Sequence, residues 1–219
     1  MDGSQTERCK AQAYTGGAAH HRPEIVRRLP AGSSRMFQES LDDIVPRLEE
    51  ARSLGLLEHY ALIGGLAVSF WAEPRATQDL DFAVAVGRRS PHSLATFLHG
   101  TYRPGEPDDP LQGVVLTSGG KDEHAVPVQL VFLPRLLSDL VLEEIHTAML
   151  LGCSVPVVAW ERLVLLKLYA GGPRDLLDAK QILDTQSPNA AALAALDALA
   201  QRADLTDEWE QFLRRAGMS

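Results

Sequence analysis

Two aspartates in the sequence DLD, Asp79 and Asp81, have the spacing that most directly suggests chemistry. They enter an apolar stretch that predicts a strand, Leu80 to Val86, and residues two apart in a strand leave the same face, with Cα atoms roughly 7 Å apart. Two carboxylates this close repel each other, and a divalent cation removes that penalty. Oxygen ligands alone suit Mg²⁺ best. The alternative is a pair of solvated acids at the entrance to a strand.

A glycine pair, Gly64 and Gly65, precedes the two aspartates. The pair lies between a predicted strand, Tyr60 to Ile63, and a predicted helix, Leu66 to Ala72. It therefore sits where a strand ends and a helix begins. Such a junction exposes unpaired backbone N–H groups and the positive end of a helix, which suits a phosphate.

The two motifs together resemble a known family. The residues GGLAV and then RATQDLDFAV are similar to the signature of the nucleotidyltransferase fold of the DNA polymerase beta superfamily, in particular of the small bacterial AbiEii-type nucleotidyltransferases. The resemblance covers roughly residues 37–183. It implies that Gly64 and Gly65 hold the nucleotide phosphates, and that Asp79 and Asp81 bind the metal ion, Mg²⁺ or Mn²⁺. Arg75, on the turn before the acids, either contacts the triphosphate or is solvated.

A later stretch, residues 161–178, also resembles the family. Glu161 to Ala170 predicts a helix, and Lys167 lies in its LxxLKLxA context. The resemblance implies that this lysine faces the nucleotide phosphates, where a compact cation is useful. The common alternative is a lysine whose stem covers core surface while its charge reaches solvent.

The sequence Gly171-Gly172-Pro173 ends that helix and begins another. Arg174, Asp175 and Asp178 then resemble the R-D-x-x-D of the family, which makes Asp178 a candidate nucleotide-binding residue. Asp175 also has a plain structural reason to stand in a first helical turn, because it complements the helix dipole. The two acids are neighbours on a helix surface, so that one of them is able to orient Lys167 or Arg174.

The strand predicted at Val126 to Leu133 departs from the family pattern. The corresponding strand in the family usually supplies a third carboxylate, and the sequence VPVQLVFLP places Gln129 at that position. A glutamine can ligate a cation through its carbonyl oxygen, but it cannot act as a general base. Deprotonation of an acceptor hydroxyl then lacks its usual base, unless Asp122 or Glu123 in the preceding turn substitutes.

The motifs predict an α/β (α+β) fold, in which a small mixed sheet with flanking helices carries them and a helical C-terminal part follows. We divide the chain into a flexible N-terminal arm (1–34), a nucleotidyltransferase-like core (35–158) and a helical region packed on the core (159–219). The other predicted elements are helices at 36–54, 90–99 and 136–150, a loop at 104–110, a strand at 111–116, a short strand or extended link at 154–159, and helices from Pro188 and from Asp207.

Composition sets the outer bounds. The chain has 219 residues, 45% of them hydrophobic and 23% charged, which is ordinary for a soluble globular protein. No apolar run is long enough to cross a bilayer, and Cys9 and Cys153 match no zinc spacing, so we predict a cytoplasmic protein. The net charge of −8 argues against broad nucleic-acid binding. The basic residues of the arm are either solvated or steer a nucleic-acid acceptor: His20, His21, Arg22, Arg27, Arg28 and Arg35.

The resemblance therefore implies a magnesium-dependent enzyme that moves a nucleoside monophosphate from a nucleoside triphosphate to an acceptor. It does not identify the acceptor, which is a tRNA, a protein or a small molecule. The resemblance also implies a toxin of a toxin–antitoxin pair, and with it an antitoxin partner. The alternative is a catalytically impaired module that binds nucleotide and serves a regulatory role, because Gln129 replaces the third carboxylate.

Overall fold

A computed structural model of the protein describes residues 31–106, 111–118 and 126–218. Its elements in chain order are α1 (Ala31–Ser53), β1 (His59–Leu62), α2 (Gly64–Trp71), β2 (Leu80–Ala85), α3 (Pro91–Phe97), β3 (Thr101–Pro104), β4 (Gly113–Ser118), β5 (Pro127–Phe132), α4 (Arg135–Leu142), β6 (Ile145–Leu150), β7 (Cys153–Val158), α5 (Trp160–Ala170), α6 (Pro173–Gln186), α7 (Ala190–Arg202) and α8 (Thr206–Ala216).

One seven-stranded mixed sheet runs through the described residues, in the order β3-β4-β5-β2-β1-β7-β6. The strands β1 and β2 are antiparallel, whereas β2 with β5 and β1 with β7 are parallel. The register places Asp81 of β2 directly beside Gln129 of β5. The predicted α/β class with a mixed sheet is therefore confirmed, although the sheet is larger than the small one expected.

The long helix α1 covers part of the sheet with the apolar stripe that its sequence predicts. Every residue of that stripe is buried: Phe37, Leu41, Ile44, Val45, Leu48 and Ala51. The helix is tied to β5 because the Ser40 hydroxyl accepts a hydrogen bond from the Val126 amide at 3.1 Å. It begins at Ala31, inside the range that we predicted as the flexible arm; residues 1–30 of that arm lie outside the described residues.

The C-terminal helices, α5 to α8, follow β7 in the chain. Gly171, with φ +65°, ends α5 in the left-handed conformation, and Pro173 starts α6, as the sequence Gly-Gly-Pro predicts. Helices α7 and α8 pack on α5, and Trp209 and Phe212 of α8 are buried there. Among the described helices, none combines the length and the apolar composition that crossing a bilayer requires.

One predicted element is wrong, and one strand was not predicted. The helix predicted over 136–150 stops at Leu142, and its second half is the strand β6. That segment pairs with β7 across a tight turn at Leu151 and Gly152, both with positive φ, so a non-local pairing decides its conformation. The strand β3 was not predicted, because it is a short and mostly exposed edge strand that ends in Pro104.

Replacing Leu130 by alanine tests the assigned core. This side chain of β5 is 0% exposed, so Leu130→Ala should lower the free energy of unfolding by about 2–5 kcal/mol in urea denaturation. Leu177→Ala is the matched control, because Leu177 of α6 is 55% exposed and its loss should cost no more than about 0.5 kcal/mol. Equal losses in the two variants would contradict the architecture.

Candidate functional site

The two aspartates lie at the start of β2, next to β5. Asp79 precedes the strand and Asp81 is its second residue. Asp79 is held from two sides: the Thr77 hydroxyl donates to its Oδ1 at 3.0 Å, and the Gln129 amide Nε2 donates to its Oδ2 at 3.0 Å. The residue in the place of a third carboxylate therefore contacts the acidic pair directly.

Asp81, the second aspartate of the pair, has a raised pKa. The pKa of its carboxyl is raised from 3.8 to about 6, chiefly by burial and then by the negative charge of Asp79, while Lys167 and Arg75 act in the opposite direction. A carboxylate in this position is costly to ionise, and a bound cation would offset that cost. The donor set thus fits a hard divalent cation, which favours carboxylate oxygens.

Gly64 and Gly65 let the backbone approach the acids closely. Gly64 has φ +65°, and a Cβ there would stand 1.9 Å from Asp81 Oδ2. A Cβ on Gly65 would stand 2.7 Å from Thr77 Oγ1. The first N–H groups of a helix have no intrahelical partner, and Ile63, the residue before α2, provides no side-chain cap for them. Backbone donors therefore lie beside the carboxylates, at a helix N-terminus that favours anions.

A buried group of charges lies behind the glycines and joins α5 and α6 to the turn before β2. The Asp178 carboxylate, 2% exposed, lies 2.8 Å from Arg75 Nε and 3.0 Å from Lys167 Nζ. Arg75 Nη2 also donates to Asp178 Oδ2 at 2.9 Å. Lys167 Nζ donates to Asp175 Oδ1 at 2.7 Å. Two cations and two carboxylates thus form one network, and the lysine is not a snorkelling surface residue.

This network changes the interpretation of the R-D-x-x-D residues. We predicted that Asp178 contacts the nucleotide, but its two oxygens face Arg75 and Lys167 and almost no surface is left. Asp175 and Asp178 both contact Lys167, as one of our alternatives held. Arg174 lies apart from them and donates through Nη2 to the Ala76 carbonyl at 3.2 Å.

Two residues that shape the site were missed in the sequence. Ser69, buried within α2, donates to the Gly65 carbonyl at 2.9 Å, and its oxygen accepts from the Arg75 amide at 3.2 Å. Thr77 holds Asp79 and fills the space beside Gly65. A serine inside an apolar helix and a threonine two residues before the first aspartate were the available signals. Both fix the turn that carries Arg75.

A cavity of about 510 Å³ lies at the opposite ends of β1 and β2 from the acids. It is lined by residues from β1, β2, α4 and α7, including His59, Ala85, Asp139 and Arg202. Ala85 is four residues along β2 from Asp81, or roughly 13 Å. None of the predicted site residues borders this cavity, so it is separate from the acidic pair.

The sequence and fold were compared with known proteins. Residues 48–216 match the family described as "Nucleotidyl transferase AbiEii toxin, Type IV TA system". A search of curated proteins gave no match. Among solved structures, an antigenic nucleotidyltransferase-like protein from Paracoccidioides brasiliensis is similar, with 17% identity, a TM-score of 0.46, and 80% of this chain and 93% of that chain covered. The antibiotic-resistance factor ANT(2'')-Ia is also similar, with 12% identity and a TM-score of 0.45. The match covers 85% of this chain and 99% of that chain.

A matched pair of glycine substitutions tests the close approach of Gly64 to Asp81. Gly64→Ala and Gly55→Ala both place a side chain at positive φ, which costs about 1–2 kcal/mol. A Cβ at Gly55 meets nothing within 4 Å, whereas one at Gly64 must displace the Asp81 carboxylate. Urea denaturation should show a loss that is larger for Gly64→Ala by about 1–3 kcal/mol. Similar losses would show that the contact is not tight.

The raised pKa of Asp81 predicts how stability depends on pH. The native state binds the Asp81 proton more tightly than the unfolded state, so this residue lowers stability as pH rises from about 4 to about 6. The loss at pH 8 is at most about 3 kcal/mol. Asp81→Asn removes the charge, so the variant should be more stable than wild type at pH 8 in EDTA and equal to it near pH 3.5. A variant less stable than wild type at pH 8 would show that the Asp81 charge does not lower the stability of the protein.

Proposed function

The chain belongs to the AbiEii nucleotidyltransferase family, and from this membership we propose that it transfers a nucleoside monophosphate from a nucleoside triphosphate to an acceptor. The observation that carries the proposal is the family match over residues 48–216, which contains the glycine pair, both aspartates and the lysine network. In this reaction an acceptor atom bonds to the α-phosphorus, the bond to the bridging oxygen breaks, and pyrophosphate leaves. The contacts of the site suggest a role for each group.

Asp79 and Asp81 would hold a divalent cation, Mg²⁺ or Mn²⁺. When bound, such a cation supplies positive charge to the triphosphate oxygens as pyrophosphate departs. The fit is supported by the two adjacent carboxylates and by the raised pKa of Asp81, which marks a carboxyl buried beside a like charge. Thr77 and Gln129 hold Asp79 in one orientation by hydrogen bonds to its two oxygens.

Gly64 and Gly65 would bring backbone N–H groups against the phosphates at the N-terminus of α2. Lys167 would add a positive charge from α5. Its ammonium has three donors, and contacts with Asp175 and Asp178 engage two of them, so that one is left for a phosphate oxygen. Arg75 is held against Asp178 by two of its nitrogens, which orients its guanidinium beside the glycine turn.

Asp178 acts in this scheme as a positioning residue. Its carboxylate is buried between Arg75 and Lys167, and removing one member of such a buried group leaves the others unpaired. The Arg-containing turn and the lysine helix would then lose the connection that places both cations on one side of the nucleotide.

The biological role is a finer part of the proposal. The family is described as a toxin of a type IV toxin–antitoxin system, which supports a toxin role and an antitoxin partner for this chain. The acceptor would be a tRNA, a protein or a small molecule. A cytoplasmic location fits the two isolated cysteines, Cys9 and Cys153.

A second candidate function is a nucleotide-binding module with impaired transfer. The observation that favours it is the hydrogen bond from Gln129 to Asp79, because a neutral amide stands where a carboxylate would serve as a base. General-base assistance is typically worth about 10²–10⁴-fold, so its loss would leave binding intact and transfer slow.

Transfer of label separates the two functions. Cell extract and an α-labelled nucleoside triphosphate are incubated with wild type, Asp81→Asn and Gln129→Asp. We expect wild type to label an acceptor and Asp81→Asn to lose at least about 10²-fold, in line with the loss of a group that acts on the transferring phosphate. Asp139→Asn, an exposed acid at the distant cavity, is the control and should label like wild type.

The other outcomes are equally clear. Labelling by Gln129→Asp but not by wild type would establish the impaired module. An absence of labelling in all variants, with no binding of any nucleoside triphosphate, would overturn the proposed function.

A further inference from the structure

The side chain of Gln129 lies directly against the acidic pair of Asp79 and Asp81. We propose that Gln129 restricts the site to a single divalent cation, shared by the aspartates and the nucleotide, and that no second cation binds on the acceptor side. This inference rests on the proposed nucleotidyl transfer and specifies the chemistry of that same site. Two-cation sites hold their ions about 3.5–4 Å apart, one toward the attacking oxygen and one toward the leaving oxygen. The second ion needs oxygen ligands of its own, preferably carboxylates.

The geometry at Gln129 withholds such a ligand. Its Cα is the register partner of Asp81, and its Nε2 donates to Asp79 Oδ2 at 3.0 Å. The reversed amide would set its carbonyl oxygen against the carboxylate, so the donor orientation is the stable one. The position beside the acids therefore presents N–H groups, with partial positive charge, where a second cation would require negative charge.

Asp79 has limited capacity for two ions. Each of its oxygens already accepts one hydrogen bond, from Thr77 at Oδ1 and from Gln129 at Oδ2. A carboxylate oxygen offers about two lone pairs, so these two hydrogen bonds halve the number of positions at which Asp79 can bind cations. Mg²⁺ is usually held by one or two carboxylates together with substrate phosphates, and Asp79 with Asp81 meets that requirement once.

No other acid among the described residues completes a second site. Asp175 and Asp178 face Lys167 and Arg75 and are neutralised there. Further across the sheet from Gln129, the register partners are Leu116 of β4 and then Thr101 of β3, neither of which is charged. Within residues 31–106, 111–118 and 126–218, no group of three or more His, Cys, Asp or Glu side chains is placed to hold a metal ion.

Counting bound Mn²⁺ tests the inference without relying on turnover. The protein is saturated with an α,β-methylene nucleoside triphosphate, whose α–β bridge cannot be broken, and the Mn²⁺ retained per chain is measured by equilibrium dialysis. Wild type should retain one Mn²⁺ per chain. Gln129→Glu should retain two, because the new carboxylate supplies the missing ligand and removes the donor from Asp79. Gln129→Met, which removes the amide without adding charge, should still retain one.

Each alternative result has a distinct meaning. Two Mn²⁺ per wild-type chain would overturn the inference and leave the proposed function standing. If the double variant Asp122→Asn, Glu123→Gln then retained one, the third carboxylate would come from that turn. One Mn²⁺ in a folded Gln129→Glu variant, verified by circular dichroism, would show that Gln129 is not the determinant. Failure of wild type to bind the analogue at all would overturn the proposed function itself.

Discussion

The ion pairs of Asp178 are the interaction on which the site most depends. One buried carboxylate holds the guanidinium of Arg75 and the ammonium of Lys167, and these three residues belong to α6, to the turn before β2 and to α5. Breaking a buried charge group by removing one partner typically costs about 3–5 kcal/mol, because the remaining charges stay desolvated. The C-terminal helices are thus part of the same electrostatic unit as the sheet, rather than an appended cover.

At the acidic pair, in contrast, two like charges lie next to each other. Asp81 is buried beside a like charge, and the chain provides hydrogen-bond donors to Asp79. Gly64 allows this crowding, since any larger residue would collide with the Asp81 carboxylate. The site therefore combines cations that are paired with carboxylates and an acidic pair whose buried member, Asp81, lies beside a like charge. That asymmetry is the electrostatic basis of the proposed site for a cation and phosphates at the glycine turn.

The sequence was sufficient for those parts of the site that are local. The glycine pair and the DLD motif predicted a strand–turn–helix followed by a strand, because both features depend on residues a short distance apart. The stripe of α1 and the break at Gly171 were predictable for the same reason. The pairing of β6 with β7 was not, since its segment carries a periodicity compatible with a helix until a partner strand is present. The contact of Arg75 with Asp178 joins residues 103 apart, and no spacing rule connects them.

The separation between Arg75 and Asp178 also determines when the two residues are synthesised. Arg75, the glycines and both aspartates are synthesised well before Asp178, which follows Arg75 by 103 residues. At about 5–20 residues per second, a ribosome needs roughly 5–20 s to cover that distance. Throughout this interval the growing chain carries its glycine turn and its two acids without the carboxylate of Asp178 that pairs with Arg75. A nascent or prematurely terminated chain that ends before α6 therefore lacks the charge network, so that its assembly waits for the synthesis of α6.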